Sequence, residues 1–164
     1  MVQETVIAPA PATATAVAKP AEPAPRKLAE PVKPDKGGWI WGTGRRKTAI
    51  ARVRIKPGSG KFIVNQREID KYFTEPRDRV DIVAPLKSTN TFGKMDVVVK
   101  VEGGGYTGQA GAIVLGLARA LKGYDPALEA ALRDQSMLTR DARKVERKKY
   151  GRPGARRGFQ WAKR

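Results

Sequence analysis

The sequence predicts an α+β domain with a single sheet and helices packed on one face, between a disordered N-terminal arm and an extended basic tail. Two observations predict the domain: short segments that alternate in period two, and longer segments with helical spacing that do not alternate regularly with them. A third observation, the distribution of charge, predicts the tail. Residues 140–164 hold 11 of the 33 Lys and Arg residues and only two acidic ones. We therefore place the arm at residues 1–36, the domain at 37–139 and the tail at 140–164.

The arm, residues 1–36, is rich in Pro and Ala and has a net charge of only +1. Repeated proline interrupts helices and sheet ladders, and there is too little apolar bulk to offset the entropy of ordering. We therefore predict disorder. A signal peptide is disfavoured because Glu4 comes early and no apolar core follows. A transit peptide is the weaker alternative, because the segment has one arginine and three glutamates.

Three segments of the domain are predicted strands. Residues 48–55 alternate small or apolar residues with cations, and residues 95–101 alternate around a valine-rich face. Between them, the Pro-Gly-Ser-Gly sequence at 57–60 indicates a turn that leads into a short strand at 61–65. The sequence therefore predicts a hairpin between 48–55 and 61–65.

Three segments are predicted helices. One begins at Pro76 and should end just before Pro85, because the residue before a proline avoids helical angles. The longest covers residues 107–122, with apolar side chains at i, i+3, i+4 and i+7 and Gly123 as its stop. A shorter helix follows through residue 132, with Asp125 as its N-cap.

The composition excludes several classes of function. The chain contains no cysteine and no histidine, which excludes disulfides, thiolate or imidazole metal sites and a serine–histidine nucleophile. The acidic residues are scattered singly, so no acid–base pair stands out. The sequence contains no run of about 18 apolar residues, the length that a membrane-spanning helix needs. We therefore predict neither an enzyme nor a bound cofactor or metal.

The net charge of +17 predicts an anionic partner. Nucleic acid is the first candidate, and an anionic membrane surface or an incidentally basic fold are the alternatives. The tail carries the strongest signal, because its arginines can bind phosphate bidentately and its aromatic rings can stack on bases. Its predicted contact residues are Arg147, Lys148, Lys149, Tyr150, Arg152, Arg156 and Arg157.

A second cluster of cations lies around the first predicted strand. Five cations fall within ten residues, and no acidic residue lies between Asp35 and Glu68. The alternative is an ordinary solvated strand face, but this density favours a basic stripe that contacts nucleic acid. The residues of the stripe are Arg45, Arg46, Lys47, Arg52 and Arg54.

The glycine-rich segment at 103–108 matches the G-x-G-x-x-G pattern of dinucleotide-binding folds. That fold also needs a second parallel strand after the helix, and here a second helix and the basic tail follow. Two hypotheses remain: a tight strand-to-helix turn without a ligand, or a site where the free N–H groups of a helix start bind an RNA phosphate. For the second, the candidate contacts are Gly104, Gly105, Thr107 and Gln109.

Three stretches together resemble the ribosomal protein S-nine family of the small subunit. They are Gly-Thr-Gly-Arg-Arg-Lys with the strand after it (42–55), Gly-Gly-Gly-Tyr-Thr-Gly-Gln with its helix (103–121), and Val-Glu-Arg-Lys-Lys-Tyr-Gly with the basic ending (145–164). The resemblance covers residues 38–164. It implies a fold like the second domain of ribosomal protein S-five, with a left-handed βαβ crossover that the general handedness rule would not predict.

The resemblance also implies a place and partners. Members of the family lie in the head of the small subunit, bind the 3′ major domain of its rRNA and neighbour other head proteins. Their last residues approach the anticodon stem-loop of P-site tRNA, which here implies a tRNA contact for Lys163 and Arg164. The implied location is a cytoplasmic ribosome, with an organellar one as the alternative. Free-standing RNA-binding or chaperone activity, and a nucleotide-dependent enzyme using 103–108, are the competing hypotheses.

Three positions depart from the family pattern. Val114 stands where the family often has arginine, so an rRNA contact there is not expected. Gly158 replaces a common proline, which should loosen the tail. Ala162 replaces a common serine, and this loses a hydroxyl while both terminal charges remain.

Overall fold

The computed structural model describes residues 30–161 and shows the predicted single sheet with helices on one face. Most of the predicted disordered arm therefore lies outside the described residues. The strands are β1 (Ile40–Arg46), β2 (Ala49–Pro57), β3 (Phe62–Val64), β4 (Arg67–Glu68) and β5 (Met95–Glu102). The α-helices are α1 (Ile69–Tyr72), α2 (Pro76–Ser88), α3 (Tyr106–Tyr124) and α4 (Glu129–Asp134). The strand order is β1-β2-β5-β3-β4, and only the β3–β5 pair is parallel.

The two predicted alternating strands, β2 and β5, form the centre of the sheet. They pair antiparallel, with Val53 opposite Val99 and Ile55 opposite Val97. These four side chains are buried, because the even spacing of a strand sends alternate residues to the same face. They pack under the apolar side of α3, including Leu117. The period-two pattern thus identified both strands and their core-facing residues.

Strand β1 was not predicted, because two of its three buried residues, Gly42 and Gly44, are glycines. A side chain at Gly42 would place its Cβ 2.1 Å from the carbonyl oxygen of Gly116, and one at Gly44 would lie 1.9 Å from that of Ala112. Helix α3 therefore lies directly against the backbone of β1. The glycines that flank the basic motif serve this close approach, and they hide the alternation that would otherwise mark a strand.

The predicted hairpin between β2 and β3 is wrong. Strand β2 has β1 and β5 as its neighbours, and β3 crosses over to pair in parallel with residues 97–99 of β5. The predicted turn at 57–60 does exist, and Asp96 holds it by accepting hydrogen bonds from the backbone N–H groups of Ser59 (2.8 Å) and Lys61 (3.1 Å). A local turn signal fixes a change of direction, but the partner of the next strand depends on the rest of the sheet.

The predicted end of α2 is also wrong, since the helix continues through Pro85 to Ser88. Proline removes one backbone hydrogen bond near the end of the helix. Burial of Ile82, Pro85 and Leu86 in the core offsets that loss.

Helix α3 passes its predicted stop and ends at Tyr124. Gly123 is buried within it, and its carbonyl oxygen accepts a hydrogen bond from the backbone N–H of Val32 at 2.8 Å. After α3, the carboxylate of Asp125 caps the short 3₁₀ turn Pro126–Leu128 by accepting the backbone N–H of Ala127, as predicted. Among the described residues, no helix is long and apolar enough to cross a membrane.

Candidate nucleic-acid interface

The outer face of the sheet, opposite the helices, carries a row of cations. Arg45 of β1, Arg52 and Arg54 of β2 and Lys100 of β5 occupy the positions that alternate with core residues. The strand register sets Arg52 beside Lys100 and beside Thr43. We call the outward side chains of β1, β2 and β5 the outer face. Three of the five residues of the predicted stripe, Arg45, Arg52 and Arg54, therefore share this face of the sheet.

Two tryptophans that were not among the predicted contacts lie beside these cations: Trp41 on the outer face, and Trp39 just before β1. The guanidinium carbon of Arg54 lies 5.0 Å from the ring centre of Trp39 and 5.8 Å from that of Trp41. The Lys56 ammonium lies 4.7 Å from the Trp39 ring centre. These distances permit cation–π attraction, which holds the rings and the cations in place together. The rings could have been selected only by recognising β1, whose outward positions alternate with glycines.

Arg46, another residue of the predicted stripe, lies on the opposite side of β1, toward the helices. Its guanidinium donates to the Asp141 carboxylate at 2.9 and 3.2 Å and to the backbone oxygen of Thr107 at 3.2 Å. Asp141 also accepts hydrogen bonds from Arg143, and these, followed by those from Arg46, hold the pKa of Asp141 well below its usual range. Arg46 is therefore engaged within the protein, where it ties the start of the tail to the domain.

The glycine-rich segment and the remaining stripe residue, Lys47, lie at the same end of the sheet. Lys47 is exposed in the β1–β2 turn with a φ of 51°. Gly103 and Gly104 both have positive φ, and a Cβ on Gly103 would lie 2.8 Å from the Thr48 carbonyl oxygen. The segment is thus a tight strand-to-helix turn packed on its neighbour. No strand follows α3 in residues 125–161, so the dinucleotide-binding topology is absent from the described part of the chain.

Gln109, a predicted contact residue, has a structural position. Its side-chain oxygen accepts a hydrogen bond from the Tyr72 hydroxyl at 2.9 Å, and its side-chain nitrogen donates to the Gly103 carbonyl oxygen at 3.0 Å. The residue is buried, so the amide fastens the glycine turn to α1. Gly104, Gly105 and Thr107 remain exposed at the surface of this turn.

The tail contains neither helix nor strand between residues 140 and 161. Its aromatic rings are free of the domain, with Tyr150 97% and Trp161 93% exposed. Two cations are paired within the tail, because the Glu146 carboxylate binds Lys149 at 2.6 Å and Arg156 at 2.8 Å. These two hydrogen bonds lower the pKa of Glu146.

The other predicted cations of the tail have no carboxylate partner within residues 30–161. They are Arg147, Lys148, Arg152 and Arg157, and all are exposed. These side chains are hydrogen-bond donors that can bind phosphate oxygens, and the fold of the domain does not use them. The predicted tRNA contacts, Lys163 and Arg164, lie outside the described residues.

Comparisons with known proteins identify the family. The sequence model for "Ribosomal protein S9/S16" matches residues 44–164. The small ribosomal subunit protein uS9m of Arabidopsis thaliana is 52% identical over 130 residues, which make up 79% of this chain. The chain spans 30% of the length of that curated relative. Because the family model matches well over half of the chain, including the whole tail, this chain belongs to the ribosomal protein S9/S16 family.

Proposed function

We propose that the protein is a structural constituent of the small ribosomal subunit that binds rRNA through the outer face and the tail. The observation that carries this proposal is the structure of the tail: over residues 140–161 the cations are exposed, and the segment forms neither helix nor strand. A segment of this kind gains its order from a folded polyanion. The family is one of ribosomal proteins and not of enzymes, which supports a binding role without chemistry.

The mechanism of binding is phosphate neutralisation combined with fit to a folded RNA. Arginine forks on the tail match phosphate geometry, and each contact releases counterions from the RNA. Side chains such as Arg52 can position the domain on the backbone of the RNA, while base edges contribute little. The proposed partner is the 3′ major domain of the rRNA in the head, with other head proteins as neighbours.

The end of the tail has a separate proposed partner, the anticodon stem-loop of P-site tRNA. The basis is the Lys163-Arg164 ending, which matches the ending of the family and keeps both charges although Ala162 replaces a serine. Two positive charges that follow the exposed residues 140–161 can contact tRNA phosphate without disturbing the domain.

Sedimentation of cell extract tests the proposed location. We expect the protein to co-sediment with the small subunit, and a profile without that association would favour a free-standing RNA-binding protein or chaperone.

Deleting residues 162–164 should weaken P-site tRNA binding and leave subunit assembly largely intact. Unchanged tRNA affinity in the deleted subunits would contradict the role of the tip.

The compartment of this ribosome is a further part of the proposal. The sequence predicted a cytoplasmic ribosome, with an organellar one as the alternative. The plant relative uS9m is mitochondrial, and this similarity supports the organellar alternative. Fractionation of cells into organelles and cytosol, followed by detection of the protein in each ribosome pool, distinguishes the two.

A further inference from the structure

The outer face contains a shallow depression of about 580 Å³ beside Trp41. Its floor includes Val98 of β5. Trp41 is paired with Arg54 of β2, and Arg54 is paired with Val98, so the three residues form one row across the sheet. Arg52 and Lys100 line the adjacent row. The depression thus combines an aromatic ring, an aliphatic surface and three cations within one short stretch of sheet.

The ring of Trp41 is half-exposed on β1, the strand at one edge of the sheet. Its orientation is supported by Arg54, which lies within cation–π distance of both Trp41 and Trp39. A flat ring that is held in place and left open costs little entropy when another flat group stacks on it. This arrangement suits an aromatic ligand better than it suits a bare anion.

The polar groups around the depression restrict what it can bind. The side-chain amide of Asn65 is already used, because it pairs with the backbone N–H (2.9 Å) and the carbonyl oxygen (3.0 Å) of Val101. Gln66, beside it, is exposed and has no side-chain hydrogen bond within residues 30–161. The charged groups lining the depression are Arg52, Arg54 and Lys100, and Lys100 also pairs with Glu102 at 3.0 Å, which leaves an excess of positive charge. The complementary ligand is therefore anionic, aromatic and able to accept or donate at one edge.

We propose that this depression is a stacking site for one unpaired nucleotide of the small-subunit rRNA. The base stacks on Trp41 over Val98, and its phosphate lies against Arg52 and Lys100. The inference rests on the proposed function, which supplies the rRNA, but it adds a site that distinguishes single-stranded from duplex RNA. Base-paired RNA cannot insert a base here, whereas a nucleotide in a loop or bulge can.

Fluorescence of Trp41 in the full chain tests the site directly. The sequence has three tryptophans, so W39F with W161F leaves Trp41 as the single reporter. We expect a single-stranded oligoadenylate to quench this emission, and polyphosphate of equal charge to leave it nearly unchanged. Binding of the oligonucleotide without quenching, or equal quenching by polyphosphate, would overturn the proposal.

Affinity measurements with a matched variant provide the second test. Replacing Trp41 by alanine should weaken binding of the single strand roughly tenfold, the effect of losing one stacked base, and should leave duplex RNA and polyphosphate unaffected. The control is F92A, which removes an exposed aromatic ring outside the depression and should change none of these affinities. An equal loss in W41A for all three ligands would overturn the stacking role.

The outcomes separate this inference from the proposed function. If the wild-type protein sediments with the small subunit but Trp41 is not quenched, only the stacking site is wrong. If Trp41 is quenched but the protein never associates with the subunit, the proposed function and the rRNA source of the nucleotide are both wrong.

Discussion

The domain and the tail both carry excess positive charge, but they hold it in different ways. Residues 37–139 have a net charge of +7 and residues 140–164 a net charge of +9, in a quarter of the length. In the domain, many cations are bound within the fold, such as Arg79 to Asp70 and Lys122 to Glu129. In the tail, the described cations are exposed, and its two acidic residues pair with three of them, Arg143, Lys149 and Arg156.

This difference shows which charges folding uses and which it leaves to a partner. Arg79, for example, donates to the backbone oxygens of Phe73 and Thr74 as well as pairing with Asp70, so it closes the loop before α2. Arg152 of the tail makes only one hydrogen bond, to the Arg156 carbonyl oxygen, within the described residues. Net charge alone therefore overstates the binding capacity of the domain relative to that of the tail.

The largest expected effect comes from adding a methyl group where the domain is packed most tightly. Gly44→Ala places a Cβ 1.9 Å from the Ala112 carbonyl oxygen and 2.4 Å from the Gly116 backbone nitrogen. Because both are backbone atoms of α3, the helix itself must move, and we expect a loss of about 3 kcal/mol or more. Urea unfolding measures it. Gly158→Ala in the tail is the matched control, since no atom lies within 4 Å of its Cβ, and stability should not change. A loss for Gly44→Ala no larger than the control's would contradict the close approach of α3 to β1.

The second effect concerns RNA binding and compares equal charge losses in the two regions. Replacing Lys148, Arg152 and Arg157 by glutamine removes three exposed cations of the tail. If each contacts one phosphate, affinity for rRNA falls about a hundredfold at physiological salt, and the salt slope falls by about three. Filter binding at several salt concentrations measures both quantities.

The control for this prediction removes three cations from the helices of the domain. These are Lys71, Lys87 and Arg133, each replaced by glutamine. The change in net charge is the same, but we expect less than a threefold loss of affinity, because these residues lie away from the outer face and the tail. Equal losses in the two triple variants would show that total charge, and not its location, governs binding.

The third effect separates a structural residue from a binding residue. Gln109→Ala removes the hydrogen bonds to Tyr72 and Gly103, which should destabilise the protein by about 1–3 kcal/mol. RNA affinity of the folded variant should be unchanged. Thr107→Ala, an exposed position two residues earlier, is the control and should leave stability within about 0.5 kcal/mol. Reduced RNA affinity in folded Gln109→Ala would restore Gln109 as a contact.

The smallest effect concerns the joint between domain and tail. The pKa of Asp141 is lowered by its bonds to Arg143 and Arg46, so the folded state favours the carboxylate. The stability that this carboxylate contributes is therefore fully present above the pKa of the unfolded chain, about 4, and is lost progressively as pH falls from there through the lowered pKa of the folded state. Asp141→Asn should lower the urea midpoint at pH 7 and lower it less at pH 3. Asp134→Asn, an exposed residue without a partner in residues 30–161, should show no such change with pH.

Sequence patterns predicted those elements whose side chains carry the signal. Strands β2 and β5 and helix α3 follow from the alternation or helical spacing of their apolar residues, and the family from three ordered motifs. Of the predicted site residues, Arg52 and the tail cations within residues 140–161 are exposed, whereas Arg54 is half-buried, and their binding to RNA stays a prediction. Strand β1, with Trp41 and the preceding Trp39, was missed because the glycines at its core-facing positions give no hydrophobic signal.

The sequence by itself determined the family, the charge of each region and the residues able to bury themselves, because these depend on composition and on local period. Tertiary structure alone decided which strand lies beside which, and which cations remain free. Arg45 and Arg46 are adjacent in the chain, yet one is exposed on the outer face and the other is bound to Asp141, 95 residues away. A side chain's partners depend on which distant segments the fold brings to it, and no local pattern contains that information.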